Sequence, residues 1–182
     1  MRNRFFVVTA LALAVLAGCQ PAEEPAATAD AGAAATVADT APAANVTSER
    51  LSNAASEPSQ WMTVGGTYEE RHYSPLNEVN RDTVSRLGLS WFADYDTNLS
   101  QQGTPLYIDG VIYVSTAWSK VYAYDARTGA QLWQYDPQTP KEIAIKVCCG
   151  IVNRGIAAYE GKIYLGTLDG YLVAIHQYIV CF

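Results

Sequence analysis

Lys120-Val-Tyr-Ala-Tyr-Asp125-Ala-Arg-Thr-Gly129-Ala-Gln-Leu-Trp133 is the stretch that decides the fold. Two short runs of β-branched and aromatic residues flank the polar turn Ala126-Arg127-Thr128-Gly129, the signature of paired strands. The second run extends through Gln134 to Tyr135. Toward the N-terminus, Thr104-Pro-Leu-Tyr-Ile-Asp109-Gly110 leads into Val111-Ile-Tyr-Val-Ser115. Asp-Gly between alternating apolar runs is a strong hairpin signal. Four short antiparallel strands in series predict one blade of a β-propeller, so the fold class is all-β.

The unit then begins again. Gly155-Ile-Ala-Ala-Tyr-Glu160-Gly161 repeats the first strand and its turn, Lys162-Ile-Tyr-Leu-Gly166 the second, and Thr167 to Ile175 the third. Gly161 falls 51 residues after Gly110, a period that suits four-stranded blades with one long connection. Leu87-Gly-Leu-Ser-Trp91-Phe-Ala93 reads as a further strand, at the outer edge of a preceding or ring-closing blade. After Ile175 the pattern stops. His176 stands where Asp125 should recur, Ile179 and Val180 replace Thr128 and Gly129, and no tryptophan follows before Phe182. Residues 176–182 therefore read as an aberrant tail left by a truncated or frameshifted reading frame. The chain holds about one and a half to two blades, and stacked repeats rely on neighbours to bury their faces.

Not all of the 182 residues can build that core. Arg2 and Arg4 precede an apolar run, Phe5 to Leu16, too short to span a bilayer. Leu16-Ala17-Gly18-Cys19 follows at the place of a bacterial lipobox, which makes 1–19 a lipoprotein signal and Cys19 the lipidated residue. Gln20 rather than Asp after that cysteine leans toward the outer membrane. Residues 20–56 are Ala- and Pro-rich, lack aromatic side chains and read as a disordered tether. The propeller portion is assigned to 57–175. Export places the chain in the periplasm, where disulfides persist. A formal charge of −6, becoming −8 once Arg2 and Arg4 are removed, argues against nucleic acid and against an electrostatic hold on anionic lipid.

Cys148-Cys149, followed by Gly150-Ile-Val-Asn153-Arg154-Gly155, is the most unusual word of the chain. Neighbouring Cα atoms lie about 3.8 Å apart, closer than disulfides usually allow. A bond between these two makes a small strained ring with a flat, polarisable face. Two free thiols, or one thiol paired elsewhere, are the other readings.

Ala123-Tyr-Asp125-Ala-Arg-Thr128-Gly129-Ala-Gln-Leu-Trp133 resembles the tryptophan-docking motif of quinoprotein propellers. Arg71-His72-Tyr73-Ser74-Pro75-Leu76-Asn77, Gly103-Thr104-Pro105-Leu106 and the Cys148 to Gly155 word occur in the order found in pyrroloquinoline-quinone (PQQ) dependent alcohol dehydrogenases. That resemblance covers Trp61 to Ile175 and implies an eight-bladed ring in the complete family. It also implies a disulfide between Cys148 and Cys149 that stacks on PQQ, and an Arg154 that contacts the cofactor's anionic groups. Gln102 occupies a position where many members carry a Glu that hydrogen-bonds PQQ. An amide keeps the bond and brings no charge. The implied activity is oxidation of a primary alcohol or similar substrate, with Ca²⁺ polarising the quinone and a cytochrome c or quinone taking the electrons. The calcium ligands and the catalytic base of the family belong to later blades, so the chain by itself is expected to be inactive. Trp91, Trp118 and Trp133 are assigned no site role, and His72 reads as a loop residue. The competing class is a non-enzymatic propeller lipoprotein of the outer-membrane assembly type. Such a scaffold has no use for Cys148, Cys149 and Arg154 together.

Overall fold

The computed structural model describes residues 44–99 and 101–176. Strands β1 (Leu106–Ile108), β2 (Val111–Ser115), β3 (Val121–Asp125) and β4 (Gln131–Tyr135) form one antiparallel sheet in chain order. The hairpin between β1 and β2 closes with Ile108 opposite Val111. At the β3–β4 turn the Asp125 carboxylate accepts from the Thr128 amide at 2.7 Å and from the Thr128 hydroxyl at 2.8 Å. That side chain satisfies turn donors that the strands leave open. Trp133 stands opposite Ala123, the small residue that leaves it room, and its ring lies 5.9 Å from that of Tyr113.

Strands β5 (Ala157–Tyr159), β6 (Lys162–Gly166) and β7 (Leu172–His176) form the second sheet, again antiparallel and in chain order. β7 includes His176, which pairs with Lys162, so the ladder runs one residue into the segment read as a tail. Backbone pairing needs no particular side chain there. The remainder of that tail, and the expected signal and Cys19 anchor, lie outside the described residues.

One core joins the two sheets. Leu106, Ile108, Tyr113, Val121 and Ala123 from the first meet Ile156, Ala158, Ile163, Leu165 and Ile175 from the second. Period-two alternation puts each set on one face.

Two expectations are corrected. Leu87–Ala93 makes no ladder with any described strand. It is an extended segment whose Trp91 ring packs on the β3–β4 turn and donates to the Ala126 carbonyl at 2.9 Å. A Cβ on Gly129 would fall 2.6 Å from Trp91 Cδ2, so only glycine, at φ 75°, lets the indole sit there. The second correction concerns the tether, whose C-terminal part belongs to the fold. Ala44 and Val46 are fully buried, and Ser48–Ser52 forms a one-turn helix α1 capped by the Thr47 hydroxyl. Burial of two small apolar side chains and a good cap outweigh the low-complexity composition.

Candidate functional site

Antiparallel strands put alternate connections at opposite ends of a blade. Residues 102–105 before β1, the β2–β3 turn, the long β4–β5 loop and the β6–β7 turn all gather at one end. All the sequence-predicted cofactor contacts lie in these connections.

The β4–β5 loop runs from Asp136 to Ile156, with a short 3₁₀ turn at Lys141–Ile145. Cys148 and Cys149 lie on its exposed rim, bonded to each other, with Cα atoms 3.8 Å apart. Cys149 and Gly150 both take positive φ, 71° and 88°, and this doubles the loop back toward the blades. Ile151 then docks on the first blade, where its carbonyl accepts from the Trp118 amide at 3.1 Å. Trp118 itself holds φ 63°, an uncommon conformation for a bulky residue, and lies at the β2–β3 turn.

Asn153 anchors the next step. It is 8% exposed, and its amide donates to the Gly166 carbonyl at 3.0 Å and to Ser119 Oγ at 3.5 Å. Its Oδ1 accepts from the Gly155 amide at 3.1 Å. One side chain thus ties the loop to both blades. The sequence reading gave Asn153 no role. Its signal was a lone amide between Val152 and Arg154 at the mouth of a strand.

The next side chain, Arg154, is exposed and donates through Nε to Gln102 Oε1 at 3.3 Å. Two of the sequence-predicted contacts, 52 residues apart, therefore meet directly. Gly103 makes the approach possible: a Cβ there would lie 2.5 Å from Ser115 Oγ and 3.4 Å from the Gly155 amide nitrogen. Neither terminal nitrogen of Arg154 has a partner among the described residues. With Nε held, the guanidinium still presents an open two-nitrogen fork, the geometry that receives a carboxylate.

Two hollows flank this end. One, of about 590 Å³, runs from Arg154 along Val64, Ile156, Tyr164 and Leu172 and is mostly apolar. The other, of about 500 Å³, carries charged groups at its wall and is lined by Asp96, Trp118, Lys120, Asp136 and Thr139. In the second hollow Lys120 pairs with both Asp96 and Asp136. Its ammonium, then the Tyr122 hydroxyl, holds the Asp96 carboxyl below its ordinary range. Tyr122 and Tyr124 are pushed the other way, chiefly by burial, Tyr124 up to about 12. Both phenols stay protonated at neutral pH. Among the described residues no group of three His, Cys, Asp or Glu side chains converges to hold a metal.

Comparison with known proteins matches the PQQ family "Glucose/ethanol/alcohol dehydrogenase, beta-propeller domain" to residues 61–178. The dehydrogenase subunit of the quinone alcohol dehydrogenase of Komagataeibacter europaeus is 50% identical over 141 residues, 78% of this chain and 19% of that protein. The structure of quinohemoprotein alcohol dehydrogenase ADHIIG from Pseudomonas putida superposes with a TM-score of 0.73 at 44% identity, covering 75% of this chain and 20% of that one. The Comamonas testosteroni quinohemoprotein alcohol dehydrogenase gives 0.70 at 41% identity, over 74% and 20%. The chain thus spans about a fifth of the length of these relatives. The matched 61–178 segment, the 50% identity and the superposed structures agree: this chain belongs to the PQQ-dependent alcohol dehydrogenase family, as part of its β-propeller.

Proposed function

We propose that this chain is the N-terminal portion of a periplasmic PQQ-dependent dehydrogenase that oxidises a primary alcohol or similar substrate. The observation that carries the reading is the Arg154–Gln102 contact at the end of the blades where the Cys148–Cys149 loop lies. An open guanidinium fork fits a carboxylate of PQQ, and the exposed cysteine pair offers it a flat, polarisable rest. Gln102 holds Arg154 in place and leaves the arginine's charge uncompensated, which favours an anionic ligand. PQQ, when bound, supplies the two-electron acceptor. The calcium ion of the complete enzyme belongs, in this reading, to ligands on later blades. Cytochrome c or quinone as electron acceptor, and lipid anchoring through Cys19 to the outer membrane, complete the proposal. Quinone and cytochrome c stand in the names of two relatives, the K. europaeus subunit and the 1-butanol dehydrogenase (cytochrome c) of Thauera butanivorans.

PQQ titration against the chain, followed by tryptophan fluorescence, tests the site. Saturable quenching is expected, with affinity reduced about tenfold or more in Arg154→Ala, a loss of about 1.4 kcal/mol. Equal binding by the variant overturns the assignment. Fatty-acid labelling of the exported precursor tests the anchor, and it should disappear in Cys19→Ala.

A further inference from the structure

The candidate site has its two halves on different blades. Gln102 precedes β1 and Arg154 precedes β5, so their contact depends on the angle between the sheets. That angle is not set by the site end alone. At the opposite end, the segment Ala44–Trp61 runs across both hairpin tips, although it lies outside the repeat.

Its first part grips the second sheet. The Val46 carbonyl accepts from the Glu160 amide at 2.8 Å and the Ala44 carbonyl from the Gly161 amide at 3.1 Å. Ser48 Oγ and Tyr159 Oη share a hydrogen bond of 2.9 Å. Both Ala44 and Val46 are 0% exposed, packed in the core common to the two sheets. Its second part grips the first sheet. Arg50 Nη1 and Nη2 donate to the two oxygens of Asp109, at the β1–β2 tip, over 2.8 and 2.9 Å. Nε and Nη2 donate to Glu57 over 3.0 and 2.6 Å, and Nη1 also donates to the Asn45 carbonyl at 3.0 Å. These bonds use every N–H that a guanidinium owns. Gln60 Oε1 accepts from the Asp109 amide at 2.8 Å, and Trp61 exchanges two backbone bonds with Tyr107, of 2.8 and 3.0 Å.

A planar five-donor fork that joins two carboxylates is a rigid link, unlike an exposed lysine pair. Arg50 closes the segment on itself through Glu57 and on the blade through Asp109. The backbone bonds of Ala44 and Val46 then carry the tie to the neighbouring blade.

We propose that Ala44–Trp61 is an inter-blade strap that fixes the angle between the first two blades, and through it the Gln102–Arg154 spacing at the far end. Arg50 is its lock, and Gln102 and Arg154 are the residues it positions. The last step rests on the functional reading above; the strap itself does not.

Amide hydrogen exchange on the full chain, read residue by residue at low urea, tests this. In Arg50→Ala, exchange should accelerate about tenfold at Glu160 and Gly161, which never touch Arg50, and at Trp118, whose amide bonds at the site end to Ile151 of the loop that leads into the second sheet. The β2–β3 ladder should keep its protection. Acceleration confined to residues 45–61 and 109 overturns the strap. Should Arg50→Ala expose the whole ladder, Asp109→Asn preserves the hairpin shape, removes one charged arm, and must give the same pattern. Arg50→Lys, which keeps the charge without the fork, should fall between. Arg154→Ala should leave exchange at Glu160 and Gly161 unchanged. Coupled exchange without PQQ capture would therefore sink the functional reading and spare the strap.

Discussion

The first blade and the second sheet carry the same repeat 51 residues apart, yet they are buried to different degrees. In β3 the four residues Val121–Tyr124 are all buried; in β7 only Ile175 is. In β2 four of five residues are buried, against two of five in β6. The difference does not lie in strand chemistry, since both sheets alternate apolar residues on both faces. It lies in what covers them. The first blade has Ile163, Leu165 and Ile175 against one face, while Trp91 and Tyr95 pack on Tyr124 and Tyr122 of the other. Among the described residues the second sheet is covered on one face, and Leu172 and Tyr171 are 78% and 69% exposed. A blade sequence therefore encodes a two-sided layer, and neighbours decide whether both sides are used. In a chain that spans a fifth of its relatives, the uncovered face of β5–β7 is apolar surface of the kind that drives association.

The largest expected effect breaks that comparison within one sheet. Ile163 and Leu172 lie on opposite faces of the second sheet, one 0% and the other 78% exposed. Ile163→Ala should destabilise the chain by about 3 kcal/mol, through lost transfer energy and a residual cavity. Leu172→Ala should change stability by less than about 0.5 kcal/mol, because no contact is lost. Urea unfolding followed by tryptophan fluorescence measures both. A similar cost for the two would mean that the bare face is covered in solution by another copy. Sedimentation of Leu172→Lys would then show that assembly fall apart.

A smaller effect concerns the cover on the first blade. Gly129→Ala needs a methyl group 2.6 Å from Trp91 Cδ2 and a residue other than glycine at φ 75°. The backbone term alone is about 1–2 kcal/mol, and the displaced indole adds to it. Trp91→Ala should therefore make Gly129→Ala cheaper, and the double-mutant cycle reads the coupling directly. Strict additivity would mean that the indole does not dock on this turn.

Much of this was legible in the sequence, for identifiable reasons. Asp109-Gly110 and Thr128-Gly129 mark their turns because few other residues take those conformations. The 51-residue period revealed the second sheet even though the Asp-Thr-Gly-Trp ending is missing from it. Gln102 and Arg154 stand out in the sequence as candidate contacts, and the structure brings the two together. What escaped depended on contacts between remote segments. Ala44 and Val46 look like tether until a hairpin tip closes over them, and Thr47 before Leu51 was a faint cap signal. Trp91 sat in a run that alternates like a strand, but it docks without a ladder. Asn153 is one amide among many until Gly166 and Ser119 reach it.

The smallest effect is an acid one, and it also belongs to the first blade. Asp96 accepts from Lys120, the main cause of its depressed pKa, and from the Tyr122 hydroxyl at 2.8 Å. A carboxyl whose folded pKa is lowered contributes stability above its unfolded pKa, ordinarily 3.8, and loses it as pH falls through the lower folded value. The contribution should therefore be complete above the ordinary carboxylate range and fade as pH falls through the lower folded value. The Asp96 side chain is 50% exposed, so solvent screening limits the pair to less than about 1 kcal/mol. Asp96→Asn should lower stability slightly at neutral pH, lose that effect progressively in acid, and flatten the acid limb of the stability–pH curve. High salt should shrink the difference. A variant whose curve runs parallel to wild type through the acid limb would show that Asp96 acts only as a hydrogen-bond acceptor for Tyr122. In that case the cover over β3 is held by aromatic packing from Tyr95 and Trp91 rather than by the Lys120 charge.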